Sequence, residues 1–308
     1  MPELPLLVVA GPTASGKSAL ALFLAQRSGG EIVSFDSMQL YRGFDVGTAK
    51  PSAAELARVP HHFISEADPE RPWTAGEYAR QARPRLRAIA ARGRLPVLVG
   101  GTGFYLRALL EGLSEAPPRA PAVRERLRAR LARRGPEALH CLLRRLDPEA
   151  AQRIAPRDAA RVIRALEVRL ASGRRLSEYW RAAPVPLLGA RPRILGLDPP
   201  RAELYRRIDI RAAAMFRSPG IVEETRGLLA RHNAELAVFQ AHGYKQAVDI
   251  LCGSATPDCA LMDARLEQHH YAKRQLTWFR RQTPVHWLPG FGDDPAIQAQ
   301  AWAWWAGQ

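Results

Sequence analysis

The chain has 308 residues, of which 47% are hydrophobic and 24% charged, a balance that excludes an intrinsically disordered protein and leaves room for one large core and a smaller second unit. Its formal net charge of +15 favours a polyanionic partner. No apolar run reaches the ~18 residues of a membrane span, and the N-terminus lacks the basic region of a secretory signal, so we expect a cytoplasmic protein. Three scattered cysteines predict neither a disulfide framework nor a zinc site. A monomer is the simplest expectation.

Strands and helices alternate in the first third of the chain. Residues 4–10 form a short apolar run that predicts a strand buried on both faces, and residues 18–29 predict a helix closed by glycine. Residues 31–36 and 95–101 are further strand candidates, with a helix near 77–92 between them. This alternation predicts an α/β fold with a mainly parallel sheet flanked by helices.

The pattern changes after a proline-rich break that follows residue 113. Residues 122–180 show helical periodicity only, with apolar residues at steps of three and four. Strand-like runs return at 193–200 and 285–289, and the C-terminal tryptophans are expected to dock on the core. We therefore predict a P-loop catalytic core of residues 1–115 and 192–308, interrupted by an all-helical insertion of residues 116–191.

Arginine is concentrated in this insertion. Between Arg119 and Arg181 there are 17 arginines, no lysine and 7 acidic residues, which places a net +10 in about a fifth of the chain. A GC-rich genome would explain the use of Arg instead of Lys, but it would not explain the clustering. The insertion therefore predicts a surface for a nucleic-acid backbone.

The sequence GPTASGKS at residues 11–18 matches the phosphate-binding pattern G-x-x-x-x-G-K-[ST] between a predicted strand and a predicted helix. In such a loop the backbone N–H groups and the helix N-terminus hold phosphate oxygens, the lysine adds a full charge, and the last hydroxyl can bind Mg²⁺. The predicted phosphate-binding residues are Gly11, Pro12, Thr13, Ala14, Ser15, Gly16, Lys17 and Ser18, the last also being the predicted Mg²⁺ ligand. The motif indicates a phosphate but not the molecule that carries it.

A P-loop ATPase is expected to carry a carboxylate at the end of another apolar strand. The strand predicted at 95–101 is followed by Thr102 and no carboxylate, whereas the strand at 31–36 ends in Asp36. Because the carboxyl ends of the strands line the ligand crevice in an open α/β sheet, Asp36, Thr102 and the P-loop should converge. A cap at the start of a helix is the other interpretation of Asp36.

Several longer blocks are more specific than the P-loop. They are DSMQLYRGFDVGTAKP (36–51), LVGGTGFYLRALLEGL (98–113), RALEV (164–168), HGYKQ (242–246) and YAKRQLTWFR (271–280). With GPTASGKS they occur in the order seen in tRNA dimethylallyltransferases, and the chain resembles the bacterial members of this family over residues 11–280. The resemblance implies transfer of a dimethylallyl group from dimethylallyl diphosphate to the N6 amine of the adenosine 3′-adjacent to the anticodon of tRNA. The P-loop would then hold the leaving diphosphate, with Mg²⁺.

The same resemblance implies a role for individual residues. Asp36 would orient the amine and accept its proton, and Thr102 would lie close to the reacting groups. Lys17 and Arg211 would stabilise the leaving diphosphate. The target base has to leave its stack to be reached. The implied tRNA-binding residues are Asp36, Ser37, Met38, Gln39, Thr102, Arg124, Arg161, Arg164, Gln240, Gly243, Tyr244 and Lys245.

Three other functions stay open at this point. An ATP-dependent P-loop kinase would need the acidic partner that is missing here. A prenyltransferase acting on free adenine nucleotides would not need the basic insertion. An RNA-binding module with a vestigial P-loop would not need Lys17, Ser18, Asp36 and Thr102 together.

Overall fold

The computed structural model describes residues 3–114, 116–181, 184–282 and 284–307. The chain divides into two compact units, a core unit of Met1–Leu110 with Leu187–Gln308 and an insertion unit of Glu111–Pro186. The predicted boundaries at 116 and 191 lie five residues beyond those of the insertion unit.

A parallel sheet forms the centre of the core unit. In the part of the chain that the structure describes, its strands are β1 (Leu4–Ala10), β2 (Glu31–Ser34), β3 (His61–His62), β4 (Pro96–Gly100), β5 (Ala190–Leu197) and β6 (His286–Leu288). All neighbours pair in parallel in the order β3-β2-β4-β1-β5-β6. The predicted α/β fold with a parallel sheet is confirmed. β3 was missed, because two residues at a sheet edge are too few to leave a periodic pattern.

The described helices alternate with the strands and also make up the whole regular structure of the insertion unit. In chain order they are α1 (Lys17–Ser28), α2 (Ala53–Arg58), α3 (Ala75–Ala91), α4 (Gly103–Leu110), α5 (Pro121–Leu146), α6 (Pro148–Arg153), α7 (Ala159–Ser172), α8 (Leu176–Arg181), α9 (Arg201–Phe216), α10 (Ile221–Leu229), α11 (Tyr244–Leu251), α12 (Pro257–Gln282) and α13 (Pro295–Ala306). A short 3₁₀ helix covers Ala237–Gln240. Among these described helices, none has both the length and the apolar character that a membrane crossing requires.

Register in the sheet brings the functional loops together. Ala10 at the end of β1 lies opposite Gly100 at the end of β4 and opposite Gly196 in β5. The loops that follow β1 and β4 therefore leave the same edge of the sheet side by side. These loops hold the P-loop and Thr102.

Apolar packing of α1 and α13 against the sheet closes the core on one side. The C-terminal tryptophans Trp302, Trp304 and Trp305 pack against this core, as predicted. The guanidinium of Arg193 in β5 lies 4.0 Å from the ring centroid of Trp304 and donates hydrogen bonds to the carbonyls of Trp304 and Trp305. These contacts anchor α13 to the sheet.

The insertion unit has its own apolar core, centred on Leu139, Leu143 and Leu166, all fully buried. Asp147 is also fully buried, and its carboxylate caps α6 while it accepts hydrogen bonds from the backbone N–H and hydroxyl of Ser177 at 3.0 and 2.7 Å. Such a satisfied buried carboxylate fixes the start of α8 against the start of α6. The insertion unit is therefore a packed helical body with a core of its own.

Candidate active site

The loop between β1 and α1 has the backbone of a phosphate-binding turn. Gly16 immediately precedes α1 with φ 81°, a left-handed conformation that favours glycine. A Cβ on Gly16 would also lie within 3 Å of the backbone of Gly292 and Asp293. The first N–H groups of α1 have no partners within the helix, and they give this end a partial positive charge. The loop is therefore suited to bind an anion.

A cleft of about 400 Å³ opens at this edge of the sheet. It brings together most of the predicted phosphate-binding loop with two residues from distant parts of the chain, Asp36 and Arg211. The lining residues are Thr13, Ala14, Gly16, Lys17, Ser18, Ala19, Asp36, Gln39, Thr48, Ala49, Val99, Gly100, Arg207, Arg211 and Asp293. One end of the cleft therefore carries the cations that would bind a phosphate, and a carboxylate lies beside them.

Lys17 is the central cation of the cleft. Its Nζ donates a hydrogen bond to the carbonyl of Pro12 at 3.1 Å. Burial lowers the pKa of Lys17 to about 8, against the opposing effect of Asp36, and Arg211 lowers it further. In the free protein Lys17 therefore loses its proton at a lower pH than an exposed lysine but is still mostly charged at neutral pH, and a bound phosphate would favour its charged form further.

Arg211 on α9 provides a second buried cation beside the P-loop. Its Nη2 donates hydrogen bonds to Thr13 Oγ1 and, at 3.2 Å, to Gln268 Oε1. Burial lowers its pKa to about 10, with Asp36 acting in the opposite direction, so the guanidinium stays charged at neutral pH. Among the described residues, none accepts a hydrogen bond from the buried Arg211 Nε. The Nε donor is therefore unsatisfied in the free protein.

Asp36 holds the turn that follows β2. Its Oδ1 accepts hydrogen bonds from the backbone N–H groups of Met38 at 2.9 Å and Gln39 at 3.3 Å. The carboxylate is partly buried and also lines the cleft. No helix begins here in the described structure, so the carboxylate caps a turn and not a helix.

Thr102 lies beside Asp36 but is not among the residues that line the cleft itself. Its Oγ1 accepts a hydrogen bond from the Ser37 N–H at 3.1 Å and donates one to Ser37 Oγ at 3.3 Å. The Tyr271 hydroxyl also lies close to Thr102. Burial raises the pKa of Tyr271, and the nearby Asp36 raises it further. Thr102 therefore joins the loops after β2 and β4 to α12.

One face of α12 organises the floor of the site, which the sequence analysis missed. Gln275 accepts a hydrogen bond from Thr13 N at 2.8 Å and donates one to the carbonyl of Gly101 at 3.1 Å. Together with Gln268 and Tyr271 it forms a row spaced three and four residues apart, which places all three on one helical face. Part of this signal was present in the sequence, because Tyr271 and Gln275 lie four residues apart within the block YAKRQ.

A salt bridge at the mouth of the cleft was also missed. Arg207, one turn before Arg211 on α9, donates from Nη1 to both carboxylate oxygens of Asp293 at 2.7 and 2.8 Å. Its guanidinium carbon lies 3.7 Å from the ring centroid of Phe291. Asp293 is 257 positions beyond Asp36 in the chain, and no sequence motif indicated that it lines the same cleft.

The predicted tRNA-binding residues of the core unit fall into two groups. Ser37, Met38 and Gln39 lie on the turn beside the cleft, and Gln39 Nε2 donates to the carbonyls of Thr48 and Ala49 at 3.2 and 3.1 Å. These bonds fix the Gln39 amide between two loops.

The second group lies around the start of α11. Gln240 and Lys245 are exposed, whereas Gly243 and Tyr244 are buried. Tyr244 donates from its hydroxyl to Glu224 at 2.5 Å, and Glu224 also accepts from the N–H groups of residues 45 to 47. The Tyr244 side chain therefore supports the 45–47 loop from inside and does not reach the surface.

The three arginines of the insertion unit that were predicted to bind tRNA differ in their exposure and in their ion pairs. Arg124 Nη2 and Arg164 Nη1 contact the fully buried carboxylate of Glu167 at 2.7 and 3.1 Å, and Glu167 also accepts from the N–H of Ala120 at 2.9 Å. Burial opposes ionisation of Glu167, but these hydrogen bonds outweigh it and lower its pKa. The Arg161 side chain is 73% exposed and pairs with Asp158.

Comparison with known proteins gives consistent matches. The family model described as IPP transferase matches residues 39–282. The tRNA dimethylallyltransferase of Koribacter versatilis (strain Ellin345) is 51% identical over 296 residues, 96% of each chain. That of Solibacter usitatus (strain Ellin6076) is 50% identical over 299 residues, 97% of each chain.

Solved structures agree with these matches. The tRNA isopentenylpyrophosphate transferase of Bacillus halodurans superposes with a TM-score of 0.73 at 36% identity, covering 99% of this chain and 96% of that one. A eukaryotic dimethylallyltransferase acting on tRNA shares the fold, with a TM-score of 0.78 at 24% identity, covering 99% of this chain and 80% of that one. By its sequence, its fold and the residues that meet in its cleft, the chain belongs to the IPP transferase family, together with the tRNA dimethylallyltransferases.

Proposed function

We propose that this protein transfers the dimethylallyl group of dimethylallyl diphosphate to the N6 amine of the adenosine 3′-adjacent to the anticodon of tRNA, with release of diphosphate. The observation that carries the proposal is the shared cleft, which is lined by the carboxylate of Asp36, by the phosphate loop and by the cations Lys17 and Arg211. The names of relatives about half identical over nearly the whole chain support the same activity.

The reaction breaks the C–O bond between the allylic carbon and the diphosphate and forms a C–N bond to the adenosine N6. Diphosphate leaves with the electron pair of the broken bond, and Asp36 takes the proton that N6 loses. Lys17, Arg211 and the P-loop N–H groups stabilise the charge that develops on the leaving oxygen. Because Oδ1 of Asp36 is held by two backbone N–H groups, the carboxylate keeps a fixed orientation toward the cleft.

The cleft also suits a Mg²⁺ ion that is coordinated partly by the diphosphate oxygens of dimethylallyl diphosphate. Mg²⁺ commonly takes one or two protein oxygens and completes its shell with water and substrate phosphates. The Ser18 side chain is exposed at the cleft and provides such an oxygen, whereas the described residues contain no cluster of three or more metal-binding side chains. Ser18 would hold the ion, and the bound ion would offset the negative charge of the diphosphate.

Transfer RNA is the polyanion that the basic insertion would bind. Exposed arginines such as Arg161 would contact phosphates of the anticodon stem and give affinity without reading bases. Exposed Gln240 and Lys245, and Gln39 at the cleft, would contact the loop. We expect a monomer that acts in the cytoplasm, where its tRNA substrates are.

A labelled-donor assay tests this function. Purified protein with Mg²⁺ and labelled dimethylallyl diphosphate is incubated with tRNA that carries adenosine 3′ of the anticodon, or with AMP. We expect label in tRNA alone. Label in AMP alone would assign the protein to the free-nucleotide prenyltransferases, and hydrolysis of ATP without label transfer would favour a P-loop kinase or ATPase.

A further inference from the structure

Two aromatic residues next to Thr102 form what we call the aromatic shelf, Phe104 with Trp278. The Phe104 side chain is 48% exposed although it lies in the first turn of α4, only two residues after Thr102. Its ring meets the Trp278 ring edge-on, with centroids 6.5 Å apart and an interplanar angle of 86°. One face of an aromatic pair is therefore open to solvent beside the site.

The shelf is held firmly relative to Thr102. The Trp278 indole packs so closely on Gly103 that a Cβ there would lie 2.1 Å from two of its ring atoms. Trp278 also follows Tyr271 and Gln275 on the same face of α12, and these two contact Thr102 and Gly101. The contacts that fix Thr102 thus fix the shelf as well.

The helical segment that carries Trp278 is basic. From Tyr271 to Arg281, α12 carries Lys273, Arg274, Arg280 and Arg281 and no acidic residue, and all four basic side chains are exposed. Arg280 pairs with Asp198, which leaves three further exposed cations on this segment. An open aromatic face beside exposed cations is the combination by which proteins hold single-stranded nucleic acid, with the base on the ring and the phosphate on the cation.

We propose that the aromatic shelf stacks one base of the anticodon loop next to the reacting adenosine. The proposal rests on the function proposed above. An extruded adenosine at Asp36 and Thr102 leaves its neighbours without a stacking partner on one side, and Phe104 replaces that partner. Phe104 and Trp278 do not line the cleft that contains Lys17 and Arg211, so we expect the shelf to contact RNA and not the diphosphate of the donor.

Binding of an anticodon stem-loop RNA to Phe104 variants tests the proposal. The RNA carries 2-aminopurine in place of a base flanking the target adenosine, so stacking is read as a loss of fluorescence. For Phe104→Ala we expect an affinity for the stem-loop lower by about 5- to 150-fold, the range of one base–aromatic stack. The quenching should disappear, and the KM for dimethylallyl diphosphate should not change.

Two further variants separate stacking from other effects. Phe104→Trp keeps an aromatic face and should bind and quench like the wild type. Leu266→Ala removes an equally exposed apolar side chain (53%) from α12 and should leave RNA binding unaltered. Unfolding temperatures of all variants show whether each protein is folded.

Three results would overturn the shelf. The first is that Phe104→Ala binds the RNA with wild-type affinity. The second is that Phe104→Ala and Phe104→Trp lose the same amount of RNA affinity. The third is that Phe104→Ala changes the KM for dimethylallyl diphosphate and leaves the RNA affinity unchanged. Label transfer by the wild type to the same stem-loop is measured in parallel. If the wild type transfers no label, the proposed function fails, whereas transfer with unchanged binding by Phe104→Ala refutes the shelf alone.

Discussion

Asp36 uses one carboxylate both to hold a turn and to face the cleft. Asp36→Asn keeps an oxygen for the N–H groups of Met38 and Gln39 but removes the proton acceptor. We expect the rate of the chemical step to fall by about 10²- to 10⁴-fold, the usual contribution of a general base, while tRNA binding is largely retained. Single-turnover kinetics and filter binding measure the two separately. Parallel loss of turnover and tRNA affinity would refute the role of Asp36 as the base.

Lys17 gives the free protein a pH-dependent affinity for diphosphate. Because burial lowers its pKa to about 8, the side chain is charged below that pH and neutral above it. Affinity for inorganic diphosphate should therefore fall as the pH rises through about 8, with uptake of a proton on binding. Calorimetry from pH 7 to 9 measures both quantities. Lys17→Gln provides the matched control for titration of the ligand itself, and an identical pH profile for the two proteins would contradict the prediction.

At the scale of elements, α12 joins the P-loop to the turn that carries Thr102. Gln275→Leu would leave the Thr13 N–H and the Gly101 carbonyl without partners, and we expect a loss of about 2–4 kcal/mol in the free energy of unfolding. The rate of the chemical step should also fall in protein that is still folded, because Thr13 and Thr102 lose a common support. Urea denaturation and single-turnover rates measure these effects.

A control on the same helix separates the role of Gln275 from that of α12 as a whole. Among the described residues, the Thr277 hydroxyl bonds only to the carbonyl of Lys273 in its own helix, so Thr277→Ala should change neither stability nor rate appreciably. Gln275→Glu keeps the acceptor for Thr13 N and should fall between the wild type and Gln275→Leu. Wild-type stability of Gln275→Leu would contradict the prediction.

At the scale of the whole molecule, we expect the arginines of the insertion to serve two different purposes. Arg161→Gln removes an exposed charge whose ion pair with Asp158 contributes at most about 1 kcal/mol to stability. It should weaken tRNA binding and change the slope of log Kd against log salt by about one, as for a phosphate contact. Arg124→Gln removes a partner of the buried Glu167 and should lower the unfolding free energy by about 1–3 kcal/mol. Salt-dependent binding and urea denaturation of both variants measure the difference, and an unchanged slope for Arg161→Gln would remove it from the interface.

The sequence by itself determined the features that depend on residues close together in the chain. The P-loop, the alternation of strands and helices, the basic insertion and the family blocks are all local patterns, so the sheet and the position of Asp36 in one cleft with the P-loop were predictable. Gly16 and Lys17 are where the motif placed them because a glycine in the left-handed region and a lysine in the first turn of α1 need only local backbone geometry.

Only the tertiary structure decided which distant residues meet. Gln275 reaches Thr13 across 262 positions of the chain, and a glutamine on a helix carries no mark of such a partner. The structure likewise shows that Arg124 and Arg164 pair with Glu167 and that Tyr244 is buried beneath a loop. In the sequence, nothing distinguishes these residues from arginines and tyrosines on the surface. Burial and pairing depend on packing between elements, and periodicity within one element specifies which face is buried but not what that face contacts.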